Sequence, residues 1–285
     1  MKIQKLFRIA LFVSMLTSAA FVSFAQPQLL KRTTYKTDKF DFGSGGTVEI
    51  TGSPIGSIRV EGGTKNEIEI SAEIEVQASN EADLAKLSEL TSYVLDDTPG
   101  RASITSFGLN DRKSLPKALK KLPKNLIGLP YKIDYVIKVP RYCDLQVDGG
   151  KGDLSVTGVE GAIKVNFLIG DSKIALIGGG LNATFGTGTV DVSMPDRSWR
   201  GSTIDVALSS GTISVHLPAN VSADLDASVV KTGSIENGLG NLKPRDRKIP
   251  ITDKLIAAKA GNGGVAMKFT VGDGTLKLIP IAKPQ

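Results

Sequence analysis

The 285 residues hold one cysteine and one histidine against 31 glycines, and that excludes several kinds of chemistry at once. Cys143 alone cannot close an internal disulfide, and a zinc site built from several Cys and His ligands is ruled out by count. The net charge of +6 at pH 7 is modest, and Lys2, Lys5 and Arg8 at the start of the chain supply half of it.

Those three charges precede an apolar stretch from Ile9 to Phe24, and small residues, Ser23 and Ala25, stand at −3 and −1 before Gln26. This is the three-part layout of a secretory signal peptide, residues 1–25. An uncleaved membrane anchor is the competing reading, but Ser14, Thr17 and Ser18 dilute the apolar stretch and favour cleavage. The chain is thus expected to be exported, to the periplasm or outer surface of a bacterium. Residues 26–285 are expected to form a single domain that relies on core burial and backbone pairing.

From Lys39 to Ala78 the pattern is strand after strand. Val48-Glu-Ile50, Ile58-Arg-Val60 and the run Ile68 to Val76 alternate with period two, and Gly45-Gly46 and Gly62-Gly63 supply turns. Glu67, Glu69, Glu73 and Glu75 fall on the polar side, as a solvated face or a row of carboxylates for cations. Asn80 to Leu90 departs from this pattern. Leu84, Leu87 and Leu90 recur at helical spacing behind an Asn80 N-cap, with Glu81 and Asp83 in the first turn.

Between Arg112 and Lys132 no acidic residue occurs. Leu115, Leu119 and Leu122 share one helical face between Pro116 and Pro123, which predicts a second short helix inside a basic insertion at about 112–130. Lys113, Lys117, Lys120, Lys121 and Lys124 make this piece a candidate contact for an anionic membrane surface or glycan. Lysines in water over the end of a sheet are the plainer reading. No aromatic residue interleaves with the lysines before Tyr131, so nucleic acid is not an expected partner.

The strand Tyr131 to Val139, stopped by Pro140, leads into a repeat. Gly152, Gly161, Gly170, Gly179 and Gly188 are evenly spaced. Short alternating strands follow the beat: Leu154/Val156, Ile163/Val165, Ile174/Leu176, Val190/Val192, Ile204/Val206 and Ile213/Val215. Nine extended residues span about 30 Å, too long for one ordinary strand. Each unit therefore reads as roughly five residues of strand and four of turn, with glycine at the corner. Two units would make a coil of about 18 residues. The expected fold is all-β, a Gly-rich, β-helix-like solenoid with one or two short helices. A meander of hairpins would leave the same local signature, though the repeat from Gly152 to Pro218 lacks the Asn-Gly or Asp-Gly turns that hairpins favour.

The succession "YVIKVPRYCDLQVDGGKGDLSVTGVEGAIKV", "GTGTVDV", "SGTISVHLP", "GNGGVAMKF" and "GDGTLKLI" resembles the bacterial "putative adhesin" family of exported, Gly-rich β-solenoid envelope proteins. The opening "GSPIGSIRVEGGTKNEIEISAEIEV" is similar to the family's first strands. The resemblance runs from about Phe40 to Leu278 and brings no catalytic set with it. With the export signal and the repeat, the lack of a catalytic set leads to the expectation of a non-enzymatic, adhesin-like protein that presents a polar sheet face to a surface glycan or another envelope protein.

The residues themselves offer little chemistry. His216 is the one available imidazole and lies on the polar side of a strand, where a solvated residue is the expected reading. Gly149-Gly-Lys-Gly-Asp153 approximates a calcium nonapeptide with the aspartate one position early, and Gly178-Gly179-Gly180 lacks the Lys-Ser/Thr of a phosphate cradle. No cofactor is expected. The enzymatic alternative is a polysaccharide-active solenoid using two carboxylates, drawn from Asp153, Asp171, Asp191 and Asp205. A periplasmic partner in envelope signalling, held to the membrane by the basic insertion, is the other alternative.

Overall fold

The computed structural model describes residues 29–108, 126–195, 201–240 and 242–281. The expected signal peptide, the second helix, and Lys113, Lys117, Lys120, Lys121 and Lys124 all lie outside the described residues.

Among the described residues the chain is all-β apart from one helix. Its first part runs β1 (Leu30–Asp41), β2 (Thr47–Thr51), β3 (Ile58–Gly63), β4 (Glu67–Ala78), α1 (Glu81–Leu90), β5 (Ser92–Thr98) and β6 (Arg101–Phe107). The middle holds β7 (Tyr131–Pro140), β8 (Asp144–Lys151), β9 (Leu154–Thr157), β10 (Gly161–Ile169), β11 (Ser172–Ala175), β12 (Gly179–Ser193) and β13 (Gly201–Pro218). Then come β14 (Ala223–Val229), β15 (Gly233–Asn237), β16 (Leu242–Pro244), β17 (Leu255–Ala260) and β18 (Val265–Ile281). They join in one sheet that curls into a half-barrel around the core.

Two parallel ladders run through that sheet. In the first, Ile50 pairs with Val147, Val147 with Val165, Val165 with Ala183, and Ala183 with Val206. In the second, Val60 pairs with Val156, Val156 with Ile174, Ile174 with Val192, and Val192 with Val215. Successive partners from β8 to β12 are thus one repeat of two glycines apart. Every residue just named is buried, so each strand places its apolar row on its neighbour's. Burying one such side chain contributes about 1.5–3 kcal/mol.

The strands differ from the sequence expectation at the corner. Five-residue strands broken by turns are not what later repeats show: β12, β13 and β18 run straight through Gly188, Gly211 and Gly274, joining both ladders in one strand. Glycine makes this possible. Gly170 has φ +145°, and its Cα faces the Gly152 carbonyl so closely that a Cβ would overlap the oxygen. Gly152, Gly188, Gly211 and Gly274 repeat that stacking, against the carbonyls of Gly56, Gly170, Gly188 and Gly211 in turn. The chain therefore bends by backbone rotation, and the ladder hydrogen bonds are kept.

The two ends are built differently. β4 runs antiparallel to β7, and β1 to β4; β5 is antiparallel to β6. At the other end β17 is antiparallel to β14, and the three-residue β16 to β17. A short edge strand carrying Pro244 blunts further pairing there. β18 does not lie at an end. It pairs with β13 on one side and with β14 and β15 on the other.

Helix α1 starts where expected. Asn80 accepts a hydrogen bond from the Asp83 N–H at 2.8 Å, and Leu84 and Leu87 are buried against β4 and β1. Asn80 thus satisfies one orphan donor of the first turn, a cap of about 1 kcal/mol.

Candidate binding surface

Because the ladders are parallel and in register, outward side chains form straight rows about 4.8 Å apart from strand to strand. On the first ladder one row reads Thr51, Asp148, Asn166 and Thr184, and continues through Ala207 to Thr270. A second row reads Glu49, Gln146, Lys164, Asn182, Asp205 and Lys268. Side chains within this grid hold one another. Asn166 Nδ2 donates to Asp148 Oδ1 at 2.8 Å, Gln146 Nε2 donates to Asp148 Oδ2 at 3.1 Å, and Lys268 Nζ stands 3.4 Å from Asp205. The result is a regular polar surface of amides, hydroxyls and both signs of charge, all at fixed spacing.

Two of the candidate carboxylates of the second ladder, Asp153 and Asp171, serve its backbone. Asp171 Oδ1 accepts from the Thr189 N–H at 3.1 Å, and Asp153 Oδ1 faces the Asp171 N–H at 3.4 Å. Asp153 and Asp171 stand side by side just past the glycine corner, Asp191 lies further along that ladder, and Asp205 is on the first ladder. The four thus do not share one place. His216 is partly exposed, with Nε2 3.3 Å from Asp191 Oδ2. Cys143 is buried, and burial pushes its thiol up to about 12, so it is not a nucleophile at neutral pH. The glycines of the calcium-like stretch have packing roles: a Cβ on Gly149 would enter the Phe167 ring, and one on Gly150 would enter the Pro54 backbone. Gly179, from the phosphate-like triplet, stacks on the Gly161 carbonyl in the same manner. Among the described residues no group of three His, Cys, Asp or Glu side chains is placed to hold a metal ion.

The glutamates of β4 are half of an ion-pair lattice. Glu69 lies 3.0 Å from Lys138 on β7 and 3.2 Å from Lys39 on β1; Glu67 lies 2.8 Å from Lys39; Glu75 lies 2.5 Å from Lys31. Lys65, Glu67, Glu69 and Lys138 also line a groove of about 230 Å³ with Gly63, Thr64 and Val139. Alternation located the glutamates; their partners on strands distant in sequence were beyond it. Hydrogen bonds from Lys138 and Lys39 hold the Glu69 carboxyl down to about 2, and lysines likewise hold Glu67 and Glu75 below the usual carboxylate range. Depressed carboxylates stabilise the fold fully above their unfolded value of about 4.5, and that stability is lost as pH falls toward 2. Thermal melts should therefore fall in midpoint between pH 4.5 and 2, and Glu69→Gln should flatten part of that slope. High salt should shrink the difference, since these pairs are exposed. Equal slopes for both proteins at low salt would contradict the pairing.

At the same end, a cluster not foreseen from sequence closes the core. The Tyr93 hydroxyl donates to Asp38 at 2.6 Å, its ring meets Tyr135 edge-on at 5.7 Å, and Lys36 Nζ lies 4.0 Å above it. Tyr135 in turn shares a 2.7 Å hydrogen bond with Ser106. Burial, first of all, raises both phenols above the ordinary tyrosine value.

No protein-family model matches this chain, and no curated protein does. Several solved structures are similar. A putative cell adhesion protein from Clostridium sporogenes shares 13% identity over 88% of this chain and 100% of its own, with a TM-score of 0.46. A putative adhesin from Bacteroides fragilis shares 12% identity over 86% and 97%, with a TM-score of 0.34. A putative lipid binding protein from Parabacteroides distasonis shares 13% over 85% and 96%, with a TM-score of 0.33. Structures called putative adhesins are thus among those this chain is similar to, the family its glycine-rich sequence resembles. Among the described residues no helix is long and apolar enough to cross a membrane.

Proposed function

We propose that this is a non-enzymatic, exported cell-envelope protein of adhesin-like type. Residues 26–285 form one β-solenoid domain of about 18 residues per coil, and its polar sheet face meets a glycan or a protein partner. The solenoid reading rests on the ladder offset: Leu145 pairs with Ile163, Ile163 with Leu181, Leu154 with Ser172, and Ser172 with Val190. The functional reading rests on one observation, the registered rows of the first ladder. Thr51, Asp148, Asn166 and Thr184 repeat hydroxyl, carboxylate and amide groups at strand spacing. A chain of sugar hydroxyls or an extended peptide can engage such a row many times over, and many weak contacts then sum to useful avidity. The basic insertion at about 112–130 is a second proposed contact, toward an anionic surface.

Binding of the purified exported protein to immobilised bacterial polysaccharides, peptidoglycan and a glycan array tests this. Binding is expected, and Asn166→Lys with Thr184→Lys should weaken it several-fold while leaving the circular dichroism spectrum unchanged. Release of reducing sugar from any of these polysaccharides would instead favour the carboxylate enzyme. Binding untouched by the double substitution would move the contact off this row.

A further inference from the structure

Strand β1 is the outermost strand of the second ladder. That ladder carries three strands beyond β3 at this end, in the order β7, β4, β1, while the first carries two beyond β2, namely β6 and β5. Among the described residues, β1 pairs with β4 alone. Its bonding direction follows from two contacts. The Gln77 N–H of β4 donates to Pro130 on the β7 side, and Phe42, just past β1, donates to Asn66 just before β4. Odd-numbered residues of β4 thus bond toward β7 and even-numbered ones toward β1. The register joins even to even, as Thr34 to Ile74 and Lys36 to Ala72. In an antiparallel ladder the intervening residues point both N–H and C=O the other way. Among the described residues, Lys31, Thr33, Tyr35, Thr37 and Lys39 therefore offer an unpaired edge of alternating donors and acceptors.

We propose that a second copy of the chain fills this edge, β1 lying antiparallel to β1 about a two-fold axis at Tyr35. The sequence of β1 is self-complementary in that register. Tyr35 meets Tyr35 once, on the axis, while Thr33 meets Thr37, Arg32 meets Asp38, and Leu30 meets Phe40 twice each. Aromatic, Thr–Thr and opposite-charge pairs are the favourable cross-strand contacts. Lys31 meets Lys39, but Glu75, and Glu67 with Glu69, already neutralise these two. Neighbouring registers are worse. Centring on Lys36 sets two lysines face to face, and like charges directly opposite are destabilising; centring on Thr34 sets Arg32, already paired with Glu81, against Lys36 and loses both the Arg32–Asp38 and the Leu30–Phe40 contacts. Centring on Thr37 pairs Lys36 with Asp38 but forfeits the Leu30–Phe40 contact. Tyr35 is 75% exposed at the centre, which a cross-strand ring partner would cover. The inward charges Lys36 and Asp38, which would ordinarily blunt an edge, are instead satisfied by Tyr93.

Sedimentation velocity of the purified exported protein across a wide concentration range tests this, with Tyr35→Pro as the variant. Proline removes an outward N–H and is tolerated on an edge strand, so the fold should persist by circular dichroism. A concentration-dependent dimer is expected, weakened by roughly ten-fold or more in the variant, because the two-fold doubles the loss of one hydrogen bond. Hydrogen exchange on the unmodified protein gives an independent reading. The amides of Thr33, Tyr35 and Thr37 should become protected as the dimer forms. A monomer at all concentrations, a dimer indifferent to Tyr35→Pro, or fast exchange of those amides in the dimer would each overturn the proposal.

Discussion

Gly170→Ala is expected to leave little folded protein. An alanine there must hold φ near +145°, a region that L-residues rarely enter, and its Cβ must share space with the Gly152 carbonyl oxygen. Relief requires moving the strands apart, and the bond from the Gly170 N–H to the Thr187 carbonyl, at 3.0 Å, lies next to the clash. Strain at such a backbone position together with overpacking belongs to the few mechanisms that exceed about 4 kcal/mol. A domain of ordinary stability, about 5–15 kcal/mol, loses a large part of it. Gly240→Ala is the matched control, since nothing lies within 4 Å of a Cβ there; it should change stability by less than about 0.5 kcal/mol. Urea denaturation followed by circular dichroism compares the two. Equal midpoints for Gly170→Ala and the unsubstituted protein would refute the stacked corner.

The second large effect is expected at Phe269, which is fully buried in β18. Val206 flanks it on one side and Ala227 on the other, each in a neighbouring strand of the ladder. The small Ala227 makes room for the ring. Phe269→Ala would remove a side chain whose neighbours are fixed by backbone pairing and cannot close the gap, so the cost should reach about 3–5 kcal/mol. Phe269→Leu should cost less than about half of that, because most of the volume remains. The urea midpoints should order accordingly, with Phe269→Leu between the other two. A value for Phe269→Ala close to that for Phe269→Leu would show that the site collapses.

The periodicities made most strands legible. Alternation placed the rows Ile68 to Val76 and Tyr131 to Val139, and Asn80 with the leucine spacing placed α1, because each is a local property of backbone and side chain. Glycine spacing showed where the chain bends. It did not show that β12, β13 and β18 pass unbroken through the bend, since a glycine ahead of a turn and one inside a bent strand read alike. Long-range partners were also hidden. Glu67, Glu69 and Glu75 read as a wet row, yet lysines from β1, β7 and the β3–β4 turn neutralise them. The Tyr93, Asp38 and Lys36 cluster joins two positions of β1 to a tyrosine on β5 that no local pattern connects to them. Asp153, Asp171, Asp191 and Asp205 share an outward position on their strands, but the ladders separate Asp205 from the others and turn Asp153 and Asp171 toward backbone amides. Chemistry spread evenly along a repeat leaves no concentrated motif, so the sequence reveals the rows more readily than what the rows meet.

The place of β18 between β13 and β14 sets an order of assembly. Strands from β8 to β13 can add one at a time, each beside a strand already made, and from β10 on that strand lies one or two places back in the chain, which keeps loop closure short. β14 and β15 cannot follow suit, for their partner comes after them in the chain. Until β18 has been made, β13 keeps an open edge along both ladders, and β14 and β15 have nowhere to dock on the growing stack. Such an intermediate is the species most prone to edge-to-edge aggregation. Completion is thus a strand insertion that seals two halves at once, and the slow step in refolding should be this closure rather than the winding of the repeats.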